Sequence, residues 1–305
     1  MPILVLGSIA LDTVKTPVEE HADLLGGSAS YAALAASFFS PVRLVGVVGT
    51  DFPESEFEFW KERDIDAEGV QRVEGKTFRW SGEYAWDLNT RETRSVALNV
   101  FENFKPALPQ SYRQTEFALL ANIAPALQSH VLDQMERPRF VVADTMDLWI
   151  ETTRKDLDAL LPRADLLILN DSEAREMTKE TSLIKAGRKI RGFGPRYVAI
   201  KKGEHGALLF GENDFFSCGA YPLEDIHDPT GAGDTFAGGV GGYLAANVKG
   251  EVSFADLRRA VIYGSVLASF CVEAFSLERL RKLKKEEIEE RYQVFRSMSQ
   301  FETMP

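Results

Sequence analysis

The sequence contains few of the residues that mark several common classes of protein. Two cysteines, Cys218 and Cys271, occur in 305 residues, far apart and without C-x-x-C spacing. This excludes a disulfide framework and predicts two buried, free thiols in a reducing compartment. The four histidines have no metal-binding spacing, so each is expected at the surface or in a loop. They are His21, His130, His205 and His227.

Basic residues and long apolar runs are also scarce. Lysine and arginine number 35 against 46 aspartates and glutamates, which gives a formal net charge of −11. No basic field is therefore available for a nucleic acid. No apolar run is long enough to span a membrane, and Pro2–Leu6 has the pattern of a short buried strand rather than of a signal peptide. We therefore expect a cytoplasmic protein with neither a nucleic-acid nor a membrane partner.

The sequence does contain short aliphatic runs that alternate with helical patterns. The runs predicted as strands are 2–7, 43–49, 139–144, 165–170 and 197–201. The predicted helices are 28–39, 55–63, 154–161, 172–179, 184–191 and the charged amphipathic segment 277–298. This alternation predicts an α/β fold with a mostly parallel sheet covered on both faces. Ligands of such sheets bind beyond the carboxyl ends of the strands. Residues at those ends are Gly7, Gly49, Asp144 and Asn170.

Residues 68–101 interrupt this alternation. Aromatic residues recur at every second or third position of Thr77–Trp86, and Thr93–Val100 alternates polar and apolar residues. The turn signal Asp87–Thr90 lies between the two segments. The pattern predicts an antiparallel hairpin, joined by the segment after Asp12. Its aromatic residues either stack on a ligand or only pack the hairpin, and a plain edge hairpin is the structural alternative.

The stretch Asp228–Gly239 carries the clearest chemical signal. Gly231 and Gly233 precede a small-residue helix, and glycine there lets the first backbone N–H groups of the helix face a ligand. Those groups attract an anion. A carboxylate at Asp234 would repel a phosphate, but it is well placed to take a proton from a hydroxyl that attacks the phosphate. The stretch therefore predicts a phosphoryl-transfer site.

The same residues have a purely structural interpretation. A glycine-rich turn often serves only to bring a helix close to a strand, and an aspartate near a helix start is a common cap. A P-loop is excluded, because the near-match at Gly75–Thr77 has Val70 in place of the first glycine and lies within the predicted hairpin. Whether this stretch is only a structural turn or a phosphoryl-transfer site must therefore be decided from the other motifs of the chain.

Several motifs in order resemble the ribokinase-like (PfkB) family of sugar and nucleoside kinases. The stretch Asp228–Gly239 is similar to the family signature. The other matches, in register over residues 3 to about 240, are Gly7–Asp12, Gly26–Ala29, Gly46–Asp51, Asn170–Glu173 and Lys201–Gly206. The resemblance implies a single ribokinase-like domain over 1–305, with a small β-sheet lid contributed by about 12–20 and 68–101.

The resemblance also implies an activity. The expected reaction is transfer of the γ-phosphoryl group of ATP to a hydroxymethyl group of a sugar or nucleoside, with Mg²⁺ as cofactor. K⁺ is a further cofactor in part of the family, and a homodimer through the lid is an assembly that the resemblance allows. A non-catalytic sugar- or nucleotide-binding regulatory protein of the same fold is the alternative. The complete Gly231–Asp234 string favours the kinase.

The resemblance assigns roles to particular residues. Asp234 is the catalytic base, and the N–H groups of Gly231, Ala232 and Gly233 stabilise the transferring phosphoryl group. The acceptor is held by Asp12, Gly26, Gly27 and Tyr31. The nucleotide contacts are Asn170, Lys201, Gly203 and Gly206. Glu173 organises Mg²⁺ through water, although Asn170 and Glu173 also have the spacing of a helix capping box. Asp228 is expected near the monovalent cation.

Two departures from the family pattern affect these assignments. Tyr31 stands where the family usually has an asparagine, and a phenol cannot present the paired donor and acceptor of an amide. The usual C-terminal Gly-Ala element of the cation site is not evident in Cys271–Leu277. The identity of the acceptor and the need for a cation are therefore left open by the sequence.

Overall fold

A nine-stranded sheet forms the centre of the molecule, in a computed structural model that describes residues 1–88 and 90–300. Its strands are β1 (Ile3–Leu6), β4 (Val42–Gly49), β5 (Ile65–Val73), β8 (Phe117–Leu120), β9 (Phe140–Asp144), β10 (Leu166–Asn170), β11 (Tyr197–Lys201), β12 (Ala207–Phe210) and β13 (Phe215–Cys218). A second, smaller sheet contains the other four strands. They are β2 (Ala10–Lys15), β3 (Glu20–Gly26), β6 (Phe78–Tyr84) and β7 (Arg91–Ala97).

The order of strands in the large sheet is β13-β12-β11-β10-β9-β8-β1-β4-β5. All neighbours from β11 to β5 are parallel, and β12 and β13 are antiparallel additions at one edge. The chain moves from β1 outward through β4 and β5, then returns to the other side of β1 as β8. The direction of winding therefore reverses between β1 and β8, which is where open α/β sheets form their ligand crevice.

Helices cover both faces of the large sheet. They are α1 (Ser28–Ser37), α2 (Glu54–Glu62), α3 (Pro125–Gln134), α4 (Asp147–Thr152), α5 (Arg154–Leu160), α6 (Asp171–Thr178), α7 (Leu183–Arg191), α8 (Ala232–Asn247), α9 (Phe254–Cys271), α10 (Glu278–Lys282) and α11 (Lys285–Met298). Two large apolar clusters cover the two faces of this sheet, and one central strand shows why: Ile3 and Val5 of β1 pack into one cluster, whereas Leu4 and Leu6 pack into the other. This alternation is expected of a sheet buried on both faces. The sequence prediction of a layered α/β fold is therefore confirmed.

The small sheet, which we call the lid, has the order β3-β2-β6-β7. Its β6 and β7 form the predicted antiparallel hairpin, and β2 pairs with β6 in parallel, as expected for the segment after Asp12. Asn89 of the predicted turn lies outside the described residues. One side of the lid packs onto the C-terminal part of the chain, where the rings of His21 and Phe275 lie 4.2 Å apart. His21 lies in β3 rather than in a loop, and 41% of its side chain is exposed, in keeping with the expected surface position.

Close packing of α8 against α1 and α9 depends on glycine. A Cβ at Gly238 or Gly242 would collide with the backbone of Ala32 or Ala36 in α1, and a Cβ at Gly239 would collide with Gly264 in α9. Backbones can approach this closely only where no side chain stands between them. The small-residue pattern of the sequence thus sets the first turn of α8 beside the first turn of α1.

The bounds of three elements differ from those expected. Residues 65–73 pair with β4 in the large sheet, and the lid instead includes all of 20–26. The C-terminal helical segment consists of α10 and α11, separated at Leu283, whose side chain is buried. Both cysteines are free and buried, as expected. Within residues 1–88 and 90–300, no helix combines the length and apolar character of a membrane span.

Candidate active site

The first turn of α8 presents the predicted anion site. Gly231 is the N-cap residue with a φ of 75°, a conformation that favours glycine. In the described part of the chain, the N–H groups of Gly231 and Gly233 have no backbone hydrogen-bond acceptor, whereas the N–H of Ala232 donates to Pro229 O at 3.3 Å. Two of the three predicted N–H groups are therefore available to a ligand, and the third closes the turn.

Asp234 lies in this same turn and is only partly exposed. Burial, together with the nearby carboxylate of Asp144, raises the pKa of Asp234 to about 7. Lys201 and Arg91, the latter from the lid strand β7, act in the opposite direction. A carboxyl group with a pKa near neutrality is well matched to proton transfer. The structure therefore places a carboxyl group with the properties of a proton acceptor beside two unpaired N–H groups.

Lys201 brings positive charge to the same turn. It ends β11, and its Nζ lies 3.6 Å from Oδ1 of Asp144, at the end of β9. A Cβ at Gly233 would lie 2.9 Å from Nζ, so the ammonium group lies directly beside the start of α8. Burial alone would lower the pKa of Lys201, but Asp144, Glu173 and Asp234 outweigh it and raise the pKa. A permanently charged lysine therefore faces the anion site.

Asn170 and Glu173 form a complete capping box at the start of α6. The N–H of Glu173 donates to Asn170 Oδ1 at 2.8 Å, and the N–H of Asn170 donates to Glu173 Oε2 at 2.7 Å. Glu173 therefore caps α6, and its carboxyl group also interacts with charged residues outside this helix. Burial raises the pKa of Glu173 to about 7, while Lys201 lowers it and Asp144 raises it, which places this carboxyl group in the same electrostatic cluster.

The predicted nucleotide loop follows β11. Gly203 begins a short 3-10 turn, Gly203–His205, and Gly206 ends it with a φ of 86°. A Cβ at Gly206 would collide with the backbone of Cys218 and Gly219. Gly206 is therefore required by close approach of two loops. This loop and Lys201 lie on the β11 side of the crevice, opposite the lid strands.

Asp12 has a buried carboxylate oxygen without a partner. It lies in β2, and Oδ1 has no hydrogen-bond partner in the described part of the chain. Burial raises the pKa of Asp12 to about 7, against the lowering effect of the Gly27 and Trp80 N–H groups. A Cβ at Gly26 would collide with this carboxylate. Asp12 and the diglycine therefore pack together, and Oδ1 of Asp12 remains a hydrogen-bond acceptor without a donor.

Tyr31 joins this unit to the anion site. Its side chain is 2% exposed, and a Cβ at Gly231 would collide with the tyrosine ring. Burial raises its pKa, and Cys271, Asp228 and Asp12 add to the effect. The phenol thus lies among the residues predicted to bind the phosphoryl acceptor, and its ring packs against Gly231. Direct contact of Tyr31 with an acceptor stays a prediction.

The loop before α8 is fixed by Asp228, which is fully buried. Its Oδ1 accepts from the N–H of Thr230 at 2.8 Å, and its Oδ2 accepts from the N–H of Ser276 at 3.1 Å. The Thr230 hydroxyl is 3.1 Å from the Tyr84 hydroxyl of the lid. Asp228 therefore holds the loop to the C-terminal segment, and Thr230 holds it to the lid. A cation beside Asp228 stays a prediction.

The sequence interpretation missed two polar residues at strand ends. Asp144 was noted only for its position, although it pairs with Lys201. Asn122, two residues after β8, was not considered at all. No group of three histidine, cysteine or acidic side chains in residues 1–88 and 90–300 could hold a metal ion by itself. Isolated residues at strand ends form no spacing pattern, so only the three-dimensional arrangement reveals them.

Comparison with known proteins agrees with this arrangement. The description "pfkB family carbohydrate kinase" matches residues 10–280. A cytidine kinase from Thermococcus kodakarensis is 29% identical over 258 residues, which cover 82% of this chain and 90% of the relative. A ribokinase structure from Giardia lamblia has a TM-score of 0.80 at 18% identity, over 96% of this chain and 99% of that chain. An E. coli protein assigned as ribokinase II, solved in complex with ATP and Mg²⁺, has a TM-score of 0.78 at 16% identity, with coverages of 96% and 99%.

Proposed function

This chain belongs to the pfkB family of carbohydrate kinases, and we propose that its acceptor is a nucleoside. The reaction is transfer of the γ-phosphoryl group of ATP to a hydroxymethyl group. The choice of a nucleoside over a free sugar is supported by the relative at 29% identity, which is a cytidine kinase. The proposal includes a role for each residue of the site.

The observation that carries the kinase assignment is the arrangement at the start of α8. Asp234, the free N–H groups of Gly231 and Gly233, and the ammonium group of Lys201 converge on one turn. Phosphoryl transfer needs positioning and charge stabilisation more than covalent chemistry. A proton acceptor, two fixed donors and a cation supply these requirements at one place.

We propose that Asp12 holds the acceptor through its unpartnered Oδ1. A hydroxyl group of the ribose would donate to this oxygen, and Gly26 lets the carboxylate lie against the main chain, because a Cβ there would collide with it. A hydrogen bond to an ionised carboxylate is among the stronger kinds. Binding of the hydroxyl would also offset the burial that raises the pKa of Asp12.

In the proposed mechanism, Asp234 accepts the proton of the hydroxymethyl group as its oxygen attacks phosphorus. The N–H groups of Gly231 and Gly233 donate to oxygens of the transferring phosphoryl group, while Ala232 maintains the turn. Lys201 balances the charge that moves toward the leaving phosphate, because a fixed cation in a water-poor site needs no reorganisation during reaction. Tyr31 keeps Gly231 in place from below.

The residues on the β11 side would hold the nucleotide. Asn170 and the loop with Gly203 and Gly206 are proposed to contact ATP, and Glu173 is proposed to order waters of Mg²⁺. Mg²⁺ supplies charge neutralisation between the phosphates when bound, and it usually takes only one or two protein carboxylates. A single buried carboxyl group among partly exposed residues fits that demand better than a closed protein cage would.

The experiment that tests the proposed function is turnover of ATP and Mg²⁺ with a panel of acceptors. Cytidine, uridine, adenosine and inosine would be compared with ribose, fructose and 2-deoxyribose by measuring kcat/KM. We expect at least one nucleoside to exceed every free sugar. A free sugar that exceeds all nucleosides would contradict the choice of acceptor and leave the kinase assignment standing.

Three further features belong to this proposal. We propose a cytoplasmic location, to which the two free, buried cysteines are suited. We propose K⁺ near Asp228, where a buried carboxylate lies against the loop before α8. We also propose a homodimer through the lid, whose outer strand β7 is exposed along its length and includes Val96 at 53% exposure. Sedimentation analysis of the protein tests the dimer.

A further inference from the structure

Asn122 lies at the point where the winding of the large sheet reverses. It follows β8, the neighbour of β1, so it borders the crevice between the nucleotide side and the acceptor side. Its backbone carbonyl accepts a hydrogen bond from the Ser28 hydroxyl at 3.0 Å, directly after the diglycine. The position of Asn122 is therefore fixed relative to the residues proposed to hold the sugar.

Buried Gln128 fixes the same region from behind. Its Nε2 lies 3.0 Å from the carbonyl oxygens of Leu120, Ala121 and Asp144. These bonds join the end of β8 to the end of β9. The main chain that carries Asn122 is thus held on both sides, and the side-chain amide projects from a rigid frame.

The orientation of the Asn122 amide follows from its partners. The Trp149 indole N–H is 2.8 Å from Oδ1, and an indole nitrogen can only donate. The oxygen of the amide must therefore face Trp149, which leaves Nδ2 facing Met146 Sδ at 3.1 Å. A thioether is a weak acceptor, and Nδ2 carries two hydrogens. The amide consequently has donor capacity that these contacts leave unused.

Met146 and Trp149 are both partly exposed, so they form an apolar wall around this donor. If the hydroxymethyl group faces Asp234 and a ribose hydroxyl faces Asp12, the nucleobase on the other side of the ribose extends toward the border of the crevice at Asn122. A thioether, an indole and one amide donor suit a flat heteroaromatic ring with an accepting atom at its edge.

We propose that Asn122 determines acceptor specificity by donating a hydrogen bond from Nδ2 to a carbonyl oxygen or ring nitrogen of the nucleobase. Trp149 acts as a positioning residue, because its N–H selects the orientation of the amide. This inference rests on the proposed function, since it requires a nucleoside as the acceptor. It adds which part of the nucleoside is recognised and by which residue.

The test compares N122D, W149F and N247D with the unmodified protein. N122D keeps an oxygen for Trp149 and removes the donor, while W149F keeps a ring and removes the orienting N–H. N247D makes the same amide-to-acid change at an exposed position on α8 and serves as the control. The measurements are kcat/KM for cytidine, uridine, adenosine and ribose, KM for ATP, and Tm for each protein.

We expect N122D to lower kcat/KM for the preferred nucleoside by about tenfold or more, because a site built to hydrogen-bond a substrate loses much of its kcat/KM when that bond cannot form. Ribose turnover, KM for ATP and the N247D control should stay within about twofold of the unmodified protein, well below that discrimination. W149F should show a smaller loss with the same selectivity. N122L removes both the donor and the acceptor, and it should lower kcat/KM for nucleosides at least as much as N122D does.

Three results would overturn the inference. Equal losses for ribose and nucleosides in N122D would mean that Asn122 only supports the fold. Unchanged kcat/KM for every nucleoside in N122D, with nucleosides still preferred by the unmodified protein, would contradict this inference alone. If the unmodified protein phosphorylates free sugars and no nucleoside, the proposed function and this inference both fail.

Discussion

The ammonium group of Lys201 lies 3.6 Å from the carboxylate of Asp144, and both side chains are largely buried beside the first turn of α8. The carboxyl groups of Glu173 and Asp234 also raise the pKa of this ammonium group. One cation thus faces three carboxyl groups, of which two have a pKa of about 7. An anion that enters this turn changes the balance of charge for all four groups at once.

The first prediction concerns the ion pair itself. K201M should reduce ATP turnover strongly, and D144N should raise KM for ATP by displacing Lys201. Each single change removes one partner of a buried pair, which costs about 3–5 kcal/mol of folding stability. The double variant K201M/D144N should regain part of the stability and none of the activity. Recovery of activity in the double variant would exclude a phosphate contact by Lys201.

The second prediction concerns Asp234. D234N should lower kcat by about 10²–10⁴ with nucleotide binding intact, because general-base assistance has that size. Since the pKa of Asp234 is raised to about 7, kcat of the unmodified protein should increase as pH rises through that value. Equilibrium binding of an ATP analogue and the exposed control D225N separate chemistry from folding. A D234N variant that keeps more than about a tenth of kcat contradicts the base role.

The third prediction concerns stability and pH at Asp12. Its pKa of about 7 in the folded protein exceeds the ordinary 3.8, so the folded state binds this proton more tightly than the unfolded chain. Stability is therefore lost as pH rises from about 4 to about 7, and the loss is constant above that range. D12N removes this penalty, of up to about 4 kcal/mol.

The measurement for Asp12 is Tm across pH. D12N should melt several degrees higher than the unmodified protein at pH 8, and the difference should shrink as pH falls toward 4. Acceptor turnover should be lost in the same variant. A Tm difference that does not depend on pH would mean that the Asp12 carboxylate is not strained by burial.

The fourth prediction separates capping from metal binding at Glu173. Glutamine also completes a capping box, so E173Q keeps the cap of α6 and removes only the charge. We expect an unchanged or higher Tm and a raised Mg²⁺ concentration for half-maximal rate. E173A should also lose stability, by about 1 kcal/mol for the broken cap. If E173Q leaves the Mg²⁺ titration unchanged, Glu173 acts in the cap alone.

The fifth prediction concerns the monovalent cation. Turnover in K⁺ should exceed turnover in Li⁺ or tetramethylammonium at equal ionic strength, with Mg²⁺ saturating. The expected cause is additional order in the loop held by Asp228, which leads into the anion site. Equal rates in all three salts would assign Asp228 solely to binding the N–H groups of Thr230 and Ser276.

The parts of the fold that the sequence predicted share a strong local pattern. The strand at 166–170 is a continuous apolar run between helices, and every residue from Leu166 to Leu169 is buried. The lid strand β3 was read only in part, because Glu20–Gly26 mixes exposed and buried residues without a regular period. Residues 68–73 were assigned to the lid, although the strand at 65–73 pairs with β4, and that pairing is set by tertiary contacts and not by local composition.

The site divides in the same way. Gly231, Gly233 and Asp234 could be proposed from the sequence because they stand in one continuous string that resembles the family signature, and the further motifs along the chain favour chemistry over a simple turn and cap. Asp144 could not, since its partner Lys201 is 57 residues away and reaches it only through the neighbouring strands β9, β10 and β11. Tyr31 was expected to contact the acceptor, and only the packed structure reveals its ring beneath Gly231.

The glycine-mediated contact of α8 with α1 has a consequence for how this chain can change over generations. Gly238 and Gly242 bring main chain against main chain, so the spacing between the starts of the two helices does not depend on any exchangeable side chain. With the residue roles proposed above, mutations in the lid or at Asn122, after β8, would alter which alcohol is accepted and would leave the main chain of the first turn of α8 in place. Selection for a new acceptor and preservation of the chemistry would then act on different parts of the same molecule.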